Sequence, residues 1–512
     1  MRQLLRRDIC GFERSRPSLS RPSDDLDISS PKEILMLRTL AAACLSAALA
    51  MPAAAQDAEA RPKNIIVMIA DGAGYNMLAA TRYWHGRALT ADGPAWEKAA
   101  MATYALRRDI EPLGLSQNPE TVYDSGKNWD AAPVTGASAC ADGYDAGYAG
   151  YEWNRCSAPD SAGTMSAMMT GIRTYNGAIN VDGRAEPAKS LAETAKAAGW
   201  KVGTLSSVPF THATVAAGGG AHNRDRDNYH EIASEMLSSE TLDFIAGGGN
   251  PDYDGDGKVR GENADERYRW ISEADWTALK SGESAWTLVE DRDAVRDLAS
   301  APQTGRLILL PRVASTLQVE RTPVGGDGGD PRLQAPGDTP PIETVPTLAE
   351  LAAAALSQLE GGDGMFLQIE GGAVDWAMHG NFLGRAIEEY NGFNEAVDLV
   401  EAWVDDPDNG STWDNTLVVV TADHDHLLFG PGNAPFEPIE NRGVGKLPGH
   451  KWWSGSHSNQ LVPFFIRGAG ADRVIAEADQ IDSARVNGET VGRGRYLTQP
   501  ELGEALIGLV SD

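Results

Sequence analysis

The sequence predicts an α/β protein, one large domain with a mostly parallel central sheet flanked by helices on both faces and carrying surface insertions. Three observations lead there. From Asn64 onward short apolar runs alternate with helical stretches, the order that β-α-β units require. Hydrophobic content of 42% and charged content of 23% are those of a globular chain, and 512 residues suffice for a large core. The two stretches that break the alternation, 109–158 and 321–345, read as excursions on one domain rather than linkers, and there is no internal repeat.

The N-terminus reads as a leader. The apolar run Leu40–Met51 follows Arg38, is too short to span a bilayer, and ends in the small residues Ala53–Ala55. Cleavage after Ala55 would leave 56–512 as the domain, and Met36 reads as a more natural start than Met1. The chain is therefore expected in the periplasm or outside the cell, with no membrane span once matured. Of four cysteines, Cys10 and Cys44 fall in the leader. Cys140 and Cys156 remain, either joined in one disulfide closing a short loop or as two free thiols.

A formal charge of −29 disfavours nucleic acid or an anionic membrane as partner. A phosphate-bearing substrate would then need local positive charge from metal ions or a placed arginine.

Strands are expected at 64–70 (NIIVMIA), 201–208 (KVGTLSSV), 242–249 (LDFIAGGG), 306–310 (RLILL), 364–372 (GMFLQIEGG), 415–424 (NTLVVVTADH) and 461–468 (LVPFFIRG). Helices are expected near 74–84 and at 189–199, 347–361 and 385–404. In open α/β sheets ligands bind beyond the carboxyl ends of the strands. Asp71, His212, Thr214, Glu370, Asp375, His379, Asp423, His424 and His457 all fall at such positions, with His426 just beyond. Each alone has an ordinary reading: a turn aspartate at Asp71, a surface i,i+4 pair at Asp375 and His379. As a set, Asp and His suit zinc, and Glu, Thr and Asp oxygens suit magnesium. In SAPDSAGTMSAMMTG (157–171), Ser161 is either a helix cap or a nucleophile.

From about Lys63 to the C-terminus the chain resembles the alkaline phosphatases. The segments that carry the likeness are NIIVMIADGAGYNMLAATRYW, PDSAGTMSAMMTGIRTYNGAINVD, THATVAAGGGAH, DFIAGGGNPDYD, FLQIEGGAVDWAMH, LVVVTADHDH and GSHSNQLVPFFIRG. The resemblance implies an exported phosphomonoesterase acting on small phosphate esters through a phosphoserine at Ser161. It implies one zinc on Asp375, His379 and His457 and a second on Asp71, Asp423 and His424. A magnesium would lie by Glu370, Thr214, Asp71 and the position of His212. Arg226 aligns with the phosphate-gripping arginine, with Arg224 as its rival, and a homodimer is implied. The chain departs from the family at Met165 and Ser166, where packing changes behind the nucleophile are expected, and at His212 and Trp376, which bear on the third ion.

In NPDYDGDGKVRGEN (250–263), Asp252, Asp254 and Asp256 before Gly257 resemble the first half of a calcium loop or form a solvated acidic turn. Competing functions are a phosphodiesterase or nucleotide-cleaving member of the same superfamily, a sulfatase, and a secreted metal-binding protein without activity. The DSA…TGIRTYNG run argues against the first, and the lack of a Cys-x-Pro-x-Arg site against the second.

Overall fold

Within Asn64–Ile69 every residue after Asn64 is buried. A strand with no polar face must be paired along both edges and covered on both sides. The computed structural model, which describes residues 61–132, 150–261, 266–324 and 329–511, places it so.

In chain order the strands are β1 (Asn64–Ile69), β2 (Glu97–Ala102), β3 (Lys201–Pro209), β4 (Phe244–Gly248), β5 (Trp286–Val289), β6 (Arg306–Leu309), β7 (Met365–Glu370) and β8 (Thr416–Thr421). There follow β9 (Asp425–Phe429), β10 (Lys451–Ser458), β11 (Val462–Gly468), β12 (Gln480–Asp482), β13 (Arg485–Val486), β14 (Glu489–Thr490) and β15 (Gly494–Thr498). Eleven of them make one sheet in the order β12-β15-β2-β11-β8-β1-β7-β3-β4-β6-β5. From β8 to β5 all pairings are parallel. The register brings strand ends level: Ile69 lies opposite both Glu370 and Thr421, and Ser206 opposite Glu370. Residues just past β1, β7 and β8 therefore emerge at one place.

Every expected strand forms, but β11 runs antiparallel to both β8 and β2. β2 has no strand signal, since EKAAMA favours helix by local propensity. Pairing with β11 and β15 overrides that preference and buries Ala100, Met101 and Ala102. The expected helices form as Tyr75–His85, Leu191–Ala197, Leu348–Leu359 and Leu383–Asp405. Two begin with reciprocal capping boxes, Ser190 with Glu193 and Thr347 with Glu350, which satisfy otherwise orphaned N–H groups.

The described residues fall in one compact unit, Glu59–Asp512. The leader and Cys140 lie outside them, so neither the cleavage expectation nor the Cys140–Cys156 pairing receives a structural description. The 109–158 excursion carries short helices at Ser125–Asn128 and Glu152–Cys156. Among the described residues no helix is long and apolar enough to cross a membrane.

Candidate active site

The helix Ser161–Thr170 is buried at every residue, with Met165, Met168 and Met169 in the core. Asp160 caps it, accepting from Gly163 N at 2.9 Å, and Ser161 is its first residue. The departures from the family pattern are packing features. Met165 joins the core. Ser166 Oγ donates to Ala178 O at 2.9 Å and accepts from Asn180 N at 2.7 Å, fixing the loop that follows.

Asp71 follows β1, Asp423 and His424 link β8 to β9, and all three are fully buried. His424 Nε2 lies 3.2 Å from Ser161 Oγ, 3.3 Å from Asp71 Oδ1 and 3.2 Å from Asp423 Oδ2. Gly72 makes this approach possible. Its φ is +72°, its N–H donates to Asp423 Oδ1 at 2.9 Å, and a Cβ there would sit 2.9 Å from His426 Cδ2. Burial, then the Asp423 charge, pushes the Asp71 carboxyl well above its ordinary range.

Asp375 and His379 lie on the helix Ala373–His379, and His457 lies on the hairpin strand β10. Asp375 Oδ2 is 3.3 Å from His379 Nε2, and its Oδ1 is 3.3 Å from His457 Nε2. His379 Nδ1 faces Gly455 O at 3.0 Å and His457 Nδ1 faces Pro159 O at 2.9 Å. A carbonyl only accepts, so each Nδ1 carries its proton. In the neutral rings both Nε2 lone pairs then point at one spot, 3.0 Å apart.

Those residues form two converging donor groups: Asp71, Asp423 and His424; and Asp375, His379 and His457 with His426. The sequence places His426 just beyond the strand-end donors and gives it no role. On β9 it is buried, pairs with His457 across the hairpin, and its Nε2 lies 2.6 Å from Asp375 Oδ1. It orients Asp375.

Glu370 ends β7, with Asp71, Thr214 and Ser206 at its carboxyl. Burial above all pushes it up to about 8, with the Asp423 charge adding to the rise and the neighbouring Ser206, Asp71 and Thr214 opposing it. Both Asp71 carboxylate oxygens, both of Glu370 and Thr214 Oγ1 are buried without a hydrogen-bond partner. Buried acidic oxygens left unpaired are costly unless a cation meets them, so these residues fit bound metal ions. His212 differs from the expectation. Its Nε2 is met by Arg226 Nη2 at 3.2 Å, and it joins neither converging donor group. Burial and Arg226 lower it to about 3, so the ring is neutral.

Arg226 lines a cleft of about 400 Å³ with Ser161, Asp375, His379 and His457. Arg224 is exposed, and its carbonyl accepts from the Tyr175 hydroxyl. The acidic turn at 250–261 assembles no ion site among the described residues. Asp252 is ion-paired to Arg267 and Lys280, Asp254 accepts from Asp256 N and Lys258 N, and Asp256 binds Lys258 and Thr322. The carboxylates serve the chain's own donors.

Comparison with known proteins agrees with this architecture. The profile of the alkaline phosphatase family matches residues 115–444. Alkaline phosphatase 3 of Bacillus subtilis is 26% identical over 410 residues, covering 77% of this chain and 69% of that protein. The Escherichia coli K12 alkaline phosphatase is 28% identical over 332 residues, 59% of this chain and 64% of that one. For alkaline phosphatase 4 of B. subtilis the match spans only 49% of its length. The structure of alkaline phosphatase from the Antarctic bacterium TAB5 shares the fold with a TM-score of 0.55 at 21% identity, covering 88% of this chain and 98% of that one. The Thermus thermophilus enzyme does so with a TM-score of 0.55 at 18% identity, covering 88% and 91%. With the fold and the family profile in agreement over most of its length, this chain belongs to the alkaline phosphatase family.

Proposed function

We propose that the protein is an exported alkaline phosphatase that hydrolyses phosphate monoesters through a phosphoserine at Ser161. The observation that carries this reading is a serine at the buried start of a helix, opening onto two groups of metal-type donors and one arginine in a single cleft.

Asp375, His379 and His457 would hold one zinc, and Asp71, Asp423 and His424 a second. Asp71, Thr214 and Glu370 would hold magnesium, with His212 held back by Arg226. When bound, these ions supply Lewis-acid activation of the Ser161 oxygen, the leaving-group oxygen and the hydrolytic water.

The chain's own residues do the rest. Ser161 Oγ gives up its proton to solvent as it attacks phosphorus in line, the bond to the ester oxygen breaks, and the alcohol leaves with a proton from water. Water then attacks the phosphoserine, the Ser161 O–P bond breaks, and inorganic phosphate is released. Arg226 grips two phosphoryl oxygens, and the positive helix end at Ser161 faces the same charge. His426 and the carbonyls of Pro159 and Gly455 orient the donors so that the site is preformed.

The leader at 1–55, a domain at 56–512, periplasmic or extracellular location and a homodimer belong to the same reading. Its test is hydrolysis of p-nitrophenyl phosphate against bis(p-nitrophenyl) phosphate. The monoester should react much faster and the activity should be lost with EDTA. Ser161→Ala should abolish the phosphoprotein trapped at low pH. Faster diester cleavage overturns the reading.

A further inference from the structure

The long helix Leu383–Asp405 borders a cavity of about 390 Å³ that shares no residue with the catalytic cleft. That volume falls within the range of small-molecule sites. Leu317, Leu348 and the prolines Pro336, Pro341 and Pro346 give it an apolar wall. The helix contributes Glu388, Gly392 and Glu395, which share one face at i, i+4 and i+7, with Glu389 beside them.

Gly392 lies inside a 23-residue helix, where glycine costs about 1 kcal/mol relative to alanine. The backbone does not require it. Its φ is not positive, and nothing lies within 4 Å of a Cβ placed there. The missing side chain instead leaves the cavity open.

Two polar groups that line the cavity are left over by the fold. His85 Nε2 is buried without a hydrogen-bond partner, and burial above all lowers the imidazole, so the ring is neutral. Glu389 is half-buried and feels Arg321 and Arg385 only through their charge, with no hydrogen bond to either. Both arginines are engaged elsewhere. Arg321 Nη2 donates to Glu388 at 2.6 Å, and Arg385 Nη1 donates to the carbonyls of Val319 and Arg321. Burial, with the Glu388 charge adding and Arg321 and Arg385 opposing, pushes Glu389 up to about 7. A carboxylate so placed gains from a cation that reaches it. Glu388, Glu389 and Glu395 stand against Arg321 and Arg385, so one positive charge completes the set. An anion would meet carboxylates, and a purely apolar molecule would leave Glu389 and His85 unpaired.

We propose that this cavity binds a small organic monocation, a primary ammonium on an apolar body. The ammonium lies at Glu389, and the body packs against the leucines and prolines. The site is separate from the phosphoryl chemistry and does not rest on it.

The test is calorimetric titration of the metal-loaded protein, in excess inorganic phosphate, with 2-phenylethylamine, its neutral analogue 2-phenylethanol and its anionic analogue phenylacetate. At about pH 8 the amine is protonated and Glu389 ionised. The amine should bind saturably at one site, about tenfold or more tighter than the alcohol, as a charge-assisted hydrogen bond supplies. Phenylacetate should not bind. Glu389→Gln should weaken the amine by about tenfold or more, to the level of the alcohol. Gly392→Leu should abolish binding by filling the cavity, with a melting temperature no lower than the parent's. No saturable binding of the amine, equal binding of amine and alcohol, or amine affinity undiminished by Glu389→Gln overturns the proposal. So does undiminished affinity in a folded Gly392→Leu protein.

Discussion

Arg226 and Asp160 are joined by an ion pair, Nη1 to Oδ2 at 2.9 Å, at the mouth of the cleft that holds Ser161. The same carboxylate accepts from Gly163 N and Gly177 N, so one aspartate caps the nucleophile's helix and aims the arginine. Arg226→Ala should raise the inhibition constant for phosphate by about 10- to 100-fold, the worth of a charge-assisted pair of hydrogen bonds. Arg224→Ala, on an exposed side chain, should change it less than about twofold. Steady-state inhibition by inorganic phosphate measures both.

Loss of the hydrogen bond from His426 to Asp375 should loosen metal binding. His426→Ala should weaken zinc affinity by about 10- to 100-fold, as removal of an orienting partner does. Competition with a zinc chelator, with elemental analysis of the dialysed protein, reads the change. Unaltered affinity would show that Asp375 holds its orientation without His426.

The stability of the protein should fall in alkali through His222. Its Nδ1 faces Glu235 at 3.1 Å and its Nε2 faces Glu193 at 3.4 Å. Burial alone would lower the imidazolium, but these carboxylates push it up to about 10. The folded state then keeps a proton that the unfolded chain releases near pH 6.5. This contribution is full below pH 6.5 and is lost as the pH rises through 10, on the order of 2 kcal/mol in all. Thermal melts of the parent and His222→Gln between pH 6 and 10.5 should converge at the alkaline end.

Ser166→Ala should destabilise the fold by about 1–3 kcal/mol, because Asn180 N and Ala178 O lose a buried partner. Denaturant unfolding measures it. Activity below the transition should stay within a few-fold of the parent, since Ser166 lies more than one turn from Ser161 along the helix.

Much of this was legible beforehand because β1, β7 and β8 are buried on both faces, and uniform apolar runs announce themselves. Their ends carry Asp71, Glu370 and Asp423, so the strand-end rule located half the site. β2 was not legible, because EKAAMA is a strand only by virtue of β11 and β15 beside it. The acidic turn reads equally as a calcium loop and as a solvated turn, and Arg267, Lys280 and Lys258, from outside the motif or across the turn, are the partners its carboxylates take.

The sequence by itself determined the order of the buried strands β1, β3, β4, β6, β7, β8 and β11, the cap at Asp160–Ser161 and the donor types, all of which depend on neighbours along the chain. Only the tertiary structure decided that Arg226 rather than Arg224 enters the cleft, that His212 pairs with Arg226, and that His426 braces Asp375. These follow from side chains meeting across 14 and 51 residues of sequence, where register and helix placement fix who touches whom.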